Sequence, residues 1–339
     1  MAIMRSQKVG QPGIDSVETP AVEVQGMEKH FGDVTAVAGV SFTVAPGEVF
    51  AFPGPNGAGK STTINVLCTL ARPSSGRAWV AGFDVCSQPQ SVRRRIGLVF
   101  QEQTLDQQLT AEENPRFHAV MYRIPKRLRD QRIDRVLDLV ALSERRRDLV
   151  SAFSGGMARR LEIARGVLHT PTVLFLDEPT IGLDPQTRAL MWEDVLALRG
   201  QEGVTDFLTT HYMDEAEVAD RIGIIDHGRV VALDIPQNLR AMVGENTVEL
   251  HTSDDTAALR AVRAAGYRAT TGPLSITVFT ADGEGQVGRL VEAGGGGVHL
   301  VHVHRPTLDD VFLHFTGRQI REQAGEARSG MARAWGHRR

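Results

Sequence analysis

Gly54-Pro55-Asn56-Gly57-Ala58-Gly59-Lys60-Ser61-Thr62 is the stretch that decides the fold. It follows the apolar run 49–52, which predicts a buried strand, and it precedes residues 63–70, which predict a helix. A strand, a glycine-rich turn, Lys-Ser and a helix are the context that a phosphate-binding loop requires. The glycines let backbone N–H groups close around phosphate oxygens, and the helix N-terminus adds partial positive charge. We expect Lys60 to reach the β and γ phosphates and the Ser61 hydroxyl to ligate Mg²⁺. The alternative is a plain glycine turn before a helix.

Composition narrows the class of protein. A chain of 339 residues is long enough for one large or two ordinary domains. With 38 Lys and Arg against 41 Asp and Glu, a net charge of -3 gives no general attraction to nucleic acid. Cys68 and Cys86 lie far apart, which argues against a disulfide scaffold or zinc site and fits a reducing cytosol. Without a long apolar run or a signal-peptide core, any membrane role is expected to come through a partner.

A second stretch, Val173-Leu174-Phe175-Leu176-Asp177-Glu178, runs from four apolar residues into two acids. This pattern predicts a buried parallel strand that ends at a carboxylate pair. Asp177 can hold Mg²⁺ directly or through water. Glu178 is placed to accept a proton from a water that attacks a γ-phosphate, and such a base contributes ~10²–10⁴-fold. The alternative is an acidic strand end that caps a nearby helix.

Three further element ends carry polar groups. Gln101 ends the apolar strand 96–100, where an amide can help to hold Mg²⁺ and the attacking water or can simply face solvent. Ser154-Gly155-Gly156 opens a helical segment and predicts a second anion-binding helix end, although capping alone would also explain it. His211 ends another apolar strand and can bond a γ-phosphate or be structural.

Two more positions belong with this set. Phe31 is an aromatic early in the chain that either stacks on an adenine ring or covers a turn. Asp184 lies in the turn 182–185, before a predicted helix over 186–198. Strands are also predicted at 21–25, 35–37 and 40–44, and Pro53 removes a backbone donor at the end of a predicted central strand.

Residues 21 to about 240 resemble the ATP-binding cassette of ABC transporters, because six of that family's motifs occur in order. They are the phosphate loop 54–62, Gln101, the signature 154–156, the acidic strand 173–178, the turn containing Asp184, and His211. The signature departs from the commonest form by beginning with Phe153 and ending with Met157. Pro115 stands where the family usually has a helical Leu, and we expect it to disturb locally the helical segment that faces the membrane partner.

The resemblance implies an α/β P-loop NTPase fold with a mixed sheet and a helical subdomain over about 104–165. It implies ATP and Mg²⁺ as cofactors, Phe31 at the adenine, and Glu178, His211 and Gln101 as catalytic residues. It also implies two cassettes that dimerise head to tail, with each ATP held between one phosphate loop and the other chain's residues 154–156. Separate transmembrane permease subunits would complete the assembly at the cytoplasmic face of the cell membrane.

Beyond the cassette, residues 241–316 show the order βαββαβ, which predicts a small ferredoxin-like α+β domain. A helix over 305–313 is expected to cap this unit. Its sequence, Pro-Thr-Leu-Asp-Asp-Val-Phe followed by Thr-Gly, is similar to that of daunorubicin-resistance ATP-binding subunits. Residues 1–20 are expected to form a disordered leader and 317–339 a basic flexible tail.

Three classes of function fit this sequence. The favoured one is the ATPase of an exporter of a drug or antibiotic, with lipid or polysaccharide export as the alternative cargo. A soluble, non-transport ABC ATPase is second, but the single cassette without a long coiled-coil insert argues against it. An ATP-regulated binding module without turnover is third, and the presence of both Glu178 and His211 argues against that.

Overall fold

The computed structural model describes residues 19–271, 275–280, 282–295 and 297–317. The predicted leader and tail lie almost entirely outside these residues. In the first part of the chain the strands are Val22–Phe31 (β1), Val34–Val44 (β2), Val49–Pro53 (β3), Ser75–Val80 (β4), Phe83–Asp84 (β5), Ile96–Val99 (β6), Val173–Asp177 (β7), Thr205–Thr210 (β8), Arg221–Asp226 (β9) and Arg229–Asp234 (β10). The helices there are Lys60–Leu67 (α1), Pro89–Arg93 (α2), Glu113–Met121 (α3), Lys126–Leu139 (α4), Gly155–Val167 (α5), Pro185–Glu202 (α6) and Pro236–Val243 (α7).

The central feature is a six-stranded sheet in the order β10-β9-β3-β8-β7-β6. Its strands pair in parallel except for β10, which is antiparallel to β9. Because the strands are parallel, the segments that follow β3, β6, β7 and β8 all leave the sheet at one edge. The sequence therefore delivers the phosphate loop, Gln101, Glu178 and His211 to the same side of the molecule.

Alternation along β3 explains how the sheet is buried on both faces. Val49 and Ala51 pack with the helices α3 to α6 in one core cluster. Phe50 and Phe52 point the other way and pack with Phe42, whose ring centroid is 5.4 Å from that of Phe50. An apolar strand with both faces covered matches the continuous hydrophobic run from which it was predicted.

A second, antiparallel sheet in the order β2-β1-β4-β5 covers the phenylalanine face. Here the predicted boundaries were wrong. The strand predicted at 21–25 continues to Phe31, and the two strands predicted at 35–37 and 40–44 are the single strand β2. The pairing of β1 with β2 contains register shifts, which interrupt the alternation of apolar and polar residues. The sequence pattern therefore predicted shorter strands than the structure has.

Two prolines fit the backbone without disrupting it. Pro53 ends β3, and the register pairs between β3 and β9 stop at Ala51, so the missing N–H falls beyond that ladder. Pro115 is the third residue of α3, in the first turn, where a helix N–H has no intrahelical acceptor. The predicted local disturbance is therefore wrong, since α3 runs on unbroken to Met121.

The last part of the chain forms the predicted ferredoxin-like unit. Its elements are Asn246–Thr252 (β11), Asp255–Ala264 (α8), Arg268–Thr271 (β12), Ile276–Thr280 (β13), Gly283–Ala293 (α9) and Val298–His304 (β14), with β-strand order β12-β13-β11-β14. All pairs in this sheet are antiparallel. The predicted fold class, a cassette sheet core plus a ferredoxin-like unit, is confirmed.

The final helix, Leu308–Thr316 (α10), does not cap that unit as predicted. Its buried residues Leu308, Val311 and Phe312 belong to the core cluster of the six-stranded sheet, together with Leu239 of α7. The ferredoxin-like unit has its own separate core around Val248 and Val278. The apolar stripe of α10 was visible in the sequence, but the partner that it packs against was not.

Candidate active site

Close backbone approaches determine the shape of the loop at 54–62. Gly59 has φ +106°, and a Cβ on it would stand 2.4 Å from the carbonyl oxygen of Ala36 in β2. A Cβ on Gly54 would stand 2.3 Å from the carbonyl oxygen of Ile225 in β9. These two positions accept only glycine. Gly59 is also the N-cap of α1 and offers no side chain to its first-turn N–H groups, so the loop and helix end can receive phosphate oxygens.

Lys60 is the first residue of α1, and only 4% of it is exposed. Its Nζ donates to the carbonyl oxygens of Gly54 and Pro55 at 2.7 and 3.1 Å, which folds the side chain back over the loop. The same Nζ lies 3.0 Å from Glu178 Oε1. The ammonium therefore joins the phosphate loop to the end of β7.

Glu178 follows β7 directly and is buried, with φ +45°. Its Oε2 lies 3.0 Å from Nδ1 of His211, which follows β8. Burial raises the pKa of this carboxyl, but the hydrogen bond from His211 and the charge of Lys60 outweigh burial and lower the pKa to about 2. Glu178 is thus an ionised carboxylate that contacts both neighbours.

Asp177, the last residue of β7, is also buried. Its Oδ1 accepts hydrogen bonds from Ser61 Oγ at 3.1 Å and from Thr209 Oγ1 at 2.6 Å. A carboxylate oxygen and a hydroxyl oxygen at this separation are the hard donors that Mg²⁺ prefers, so the residues present fit that ion.

Gln101 and Phe31 lie apart from these contacts. Gln101 is exposed at the end of β6, and its side chain makes no hydrogen bond to any residue that the structure describes. Phe31 is 55% exposed at the tip of the β1–β2 hairpin, with Lys29 Nζ 4.9 Å from its ring centroid. The hairpin reaches the loop through Ala36, so Phe31 belongs to the same region without touching the loop residues.

The segment at 154–156 forms a second, separate helix end. Ser154 caps α5, and its hydroxyl accepts from Met157 N–H at 3.3 Å. A Cβ on Gly156 would stand 2.3 Å from Thr187 Cγ2 in α6. Asp184 accepts from the N–H and hydroxyl of Thr187 at 3.0 and 2.6 Å, and these bonds lower its pKa. Ser154 and Gly155 are exposed, and no hydrogen bond among the described residues joins them to the phosphate loop.

Sequence reasoning missed two residues that hold these groups. Thr209 binds both Asp177 and the backbone of Glu178. Glu215 is buried and accepts hydrogen bonds from Thr180, just after Glu178, and from Thr210, just before His211. Burial raises the pKa of Glu215 against these bonds. The available signal in the sequence was the pair Thr209-Thr210 at the end of a predicted buried strand, since buried hydroxyl groups need hydrogen-bond partners.

Comparison with known proteins places this geometry in a family. The family model described as ABC transporter matches residues 37–181. A daunorubicin resistance ATP-binding protein of Streptomyces coeruleorubidus is 40% identical, with 90% of this chain and 99% of that protein covered. The Nod factor export ATP-binding protein I of Ralstonia nicotianae is 37% identical, with 94% of this chain and 100% of that protein covered.

A solved structure supports the same assignment. The dimeric structure of a post-hydrolysis state of an ATP-binding cassette, bound to ADP and Pi, is 27% identical to this chain. It covers 63% of this chain and 98% of its own, with a TM-score of 0.57. Within the described residues, none of the helices has the length and apolar character needed to cross a bilayer. The chain belongs to the ABC transporter family, as an ATP-binding subunit with the fold of an ABC-type ATPase.

Proposed function

We propose that this ATPase powers export of a drug or antibiotic through a separate transmembrane permease, acting as a dimer of two cassettes. The observation that carries the proposal is the meeting of Lys60, Asp177, Glu178 and His211 at one edge of the central sheet. Here Ser61 of the phosphate loop contacts Asp177, and Glu178 contacts both Lys60 and His211. A phosphate loop with two carboxylates and a histidine beside it is what hydrolysis of a nucleoside triphosphate requires.

In this proposal the loop 54–62 binds the phosphates, and Phe31 stacks on the adenine. Ser61 and Asp177 hold Mg²⁺, joined by Gln101, which must turn inward from its exposed position. Mg²⁺ when bound supplies positive charge that neutralises phosphate oxygens. Lys60, whose Nζ lies over the loop, supplies a second positive charge.

Glu178 is proposed as the general base for the attacking water. Its pKa of about 2 is low for that role, and Lys60 is one cause of the low value. A γ-phosphate that draws Lys60 toward itself removes this contact and raises the basicity of Glu178. His211 remains at Oε2 and keeps the carboxylate oriented. Glu178 thus becomes a stronger base when substrate arrives, and in the absence of substrate it is a weak base paired with Lys60.

The second helix end supports the dimer. Ser154 and Gly155 are exposed, and no hydrogen bond among the described residues joins them to the phosphate loop of the same chain. In a head-to-tail dimer, residues 154–156 and Asp184 of one copy would face the nucleotide held by the loop of the other. The similar cassette solved as a dimer is consistent with this arrangement.

The proposed cargo and location rest on the relatives. Several of them are daunorubicin resistance ATP-binding proteins, which favours a daunorubicin-like drug as cargo. Nod factor export by a relative of similar identity favours a second candidate, an export ATPase with a lipid or polysaccharide cargo. In both cases the chain would lie at the cytoplasmic face of the cell membrane, bound to its permease, with no nucleic acid as partner.

The test is Mg²⁺-dependent ATP turnover of the purified chain beside Glu178→Gln, with the molar mass followed by light scattering. We expect slow turnover by the wild type, and a variant that binds ATP, does not hydrolyse it and accumulates as a dimer. Equal turnover in both proteins would remove Glu178 as the base. A variant that binds ATP but stays monomeric would remove the head-to-tail dimer for the isolated chain.

A further inference from the structure

A buried arginine connects the two halves of the proposed site. Arg159 lies in α5, little more than one turn after Ser154, and is buried. Its Nε donates to the carbonyl oxygen of Pro179 at 2.6 Å, and its Nη1 donates to the carbonyl oxygen of Phe100. Its Nη2 lies 3.4 Å from the carbonyl oxygens of both Asp177 and Glu178. One guanidinium therefore binds the backbone on both sides of Glu178 and the residue before Gln101.

Glu162, one turn further along α5, completes the arrangement. Its Oε2 accepts from Arg159 Nη1 at 2.8 Å, and it is almost fully buried. Its Oε1 accepts from the N–H and hydroxyl of Thr104, at the far end of the loop that carries Gln101. Phe100 and Thr104 are thus both tied to α5, so the pair fixes each end of that loop.

Glu178 has an unusual backbone conformation that the contact with Arg159 helps to maintain. Glu178 has φ +45°, a left-handed conformation that a residue with a Cβ adopts only when its surroundings impose it. Its N–H donates to the carbonyl and hydroxyl oxygens of Thr209 at 3.2 and 3.1 Å, while its carbonyl faces Arg159. The left-handed residue is therefore held from both sides, and this conformation directs the carboxylate to Lys60 and His211.

A buried ion pair is weak evidence for stability, because desolvation offsets the attraction between the charges. The positions of the groups that bond to this pair say more about its role than the ion pair itself does. They are backbone groups that flank Glu178 and Gln101, and the donor helix is the one that begins at Ser154.

We propose that Arg159 and Glu162 act as a positioning pair. The pair connects the helix that begins at Ser154 to the backbone that orients the Glu178 carboxylate, and to the loop that carries Gln101. This inference rests on the proposed role of Glu178 as the base. A nucleotide seated against Ser154 shifts α5, and the guanidinium passes that shift to the backbone of Glu178 in the same chain.

The test uses Arg159→Lys, which keeps a positive charge beside Glu162 but loses the planar fork that reaches several carbonyls. A double variant, Arg159→Met with Glu162→Gln, removes both charges so that neither is left buried and unpaired. The matched control is Arg160→Lys, because the one hydrogen bond of Arg160 to a described residue is a 3.4 Å bond to the carbonyl oxygen of Val140, away from the site. Each protein is assayed for kcat, for affinity toward a fluorescent ATP analogue, and for its thermal unfolding midpoint.

We expect kcat to fall about 10- to 100-fold in Arg159→Lys and in the double variant, because misplacement of a catalytic group by about 1 Å has that cost. The analogue's affinity should change less than about threefold, since the phosphate loop is untouched. Arg160→Lys should match the wild type. In the Glu178→Gln background, Arg159→Lys should still allow the ATP-dependent dimer, because the pair acts on chemistry rather than on assembly.

Wild-type kcat in a folded Arg159→Lys or double variant would overturn the inference. So would a loss of kcat that only follows a fall in analogue affinity or in unfolding midpoint, since that pattern marks a structural role. Failure of the proposed function is seen separately, because Glu178→Gln would then hydrolyse ATP whatever stands at position 159.

Discussion

Replacing Phe312 with alanine should destabilise the six-stranded sheet region, although Phe312 lies beyond the ferredoxin-like unit in the sequence. Its side chain is 1% exposed and packs in the same core cluster as Ala51, Leu208 and Trp192. Removing a buried phenylalanine ring costs about 3–5 kcal/mol of unfolding free energy. The adjacent Leu313 is 38% exposed, and Leu313→Ala should cost less than about 1 kcal/mol.

The assay is urea unfolding followed by tryptophan fluorescence. Trp192 reports the cassette core directly, and residues 246–304 contain no tryptophan, so their unfolding is silent in this signal. A Trp79→Phe, Trp335→Phe background removes the other two tryptophans of the chain, so that Trp192 alone gives the signal. We expect Phe312→Ala to lower the urea midpoint of the Trp192 transition and Leu313→Ala to leave it nearly unchanged.

Either of two results would refute this reasoning. If Phe312→Ala leaves the Trp192 transition in place, α10 is not part of the cassette core. The same conclusion follows if Phe312→Ala and Leu313→Ala shift that transition equally, because burial then does not explain the effect.

Two other predictions concern the phosphate loop and a pair of partly buried histidines, His118 in α3 and His169 just after α5. Gly57→Ala should weaken binding of a fluorescent ATP analogue about tenfold, because position 57 has a φ of +81° but has space for a Cβ. Gly59→Ala should weaken binding about 100-fold or more, because a Cβ at position 59 also meets the backbone carbonyl of Ala36. Equal losses of affinity in the two variants would contradict this prediction. Burial lowers the pKa of His118 to about 3 and of His169 to about 4, so the stability they contribute is complete above about pH 6.5 and is lost as the pH falls toward 4. Each histidine should therefore lower the free energy of unfolding by about 2 kcal/mol at pH 5 relative to pH 7.5. Urea midpoints measured at both pH values should show this loss in the wild type and not in the His118→Gln, His169→Gln double variant.

The elements that could be predicted from the sequence are those whose signal is local. The loop at 54–62 and the acidic end of β7 combine an apolar strand with a specific turn or charge pair, and both lie where expected. The order of elements in the ferredoxin-like unit was also correct, because its strands alternate and its helices have regular apolar spacing.

What could not be predicted depends on contacts between distant segments. Arg159 reads as one arginine of a basic pair on a helix, and only the folded chain reveals its five backbone and side-chain acceptors. Glu215 likewise looks like one acid in an acidic run. The partner of α10 is decided by tertiary packing, since an apolar stripe fits any complementary surface.

The contact between α7 and α10 has a consequence for how this chain is built. Leu239 and Phe312 share one core, while the whole ferredoxin-like sheet occupies residues 246–304 between the two helices. In topological terms that sheet is an insertion into the cassette rather than an extension of it. A short glycine-serine bridge from α7 to α10 would excise it without opening the core beneath. The ferredoxin-like unit can therefore be removed or exchanged without deleting any residue of the core that α7 and α10 share.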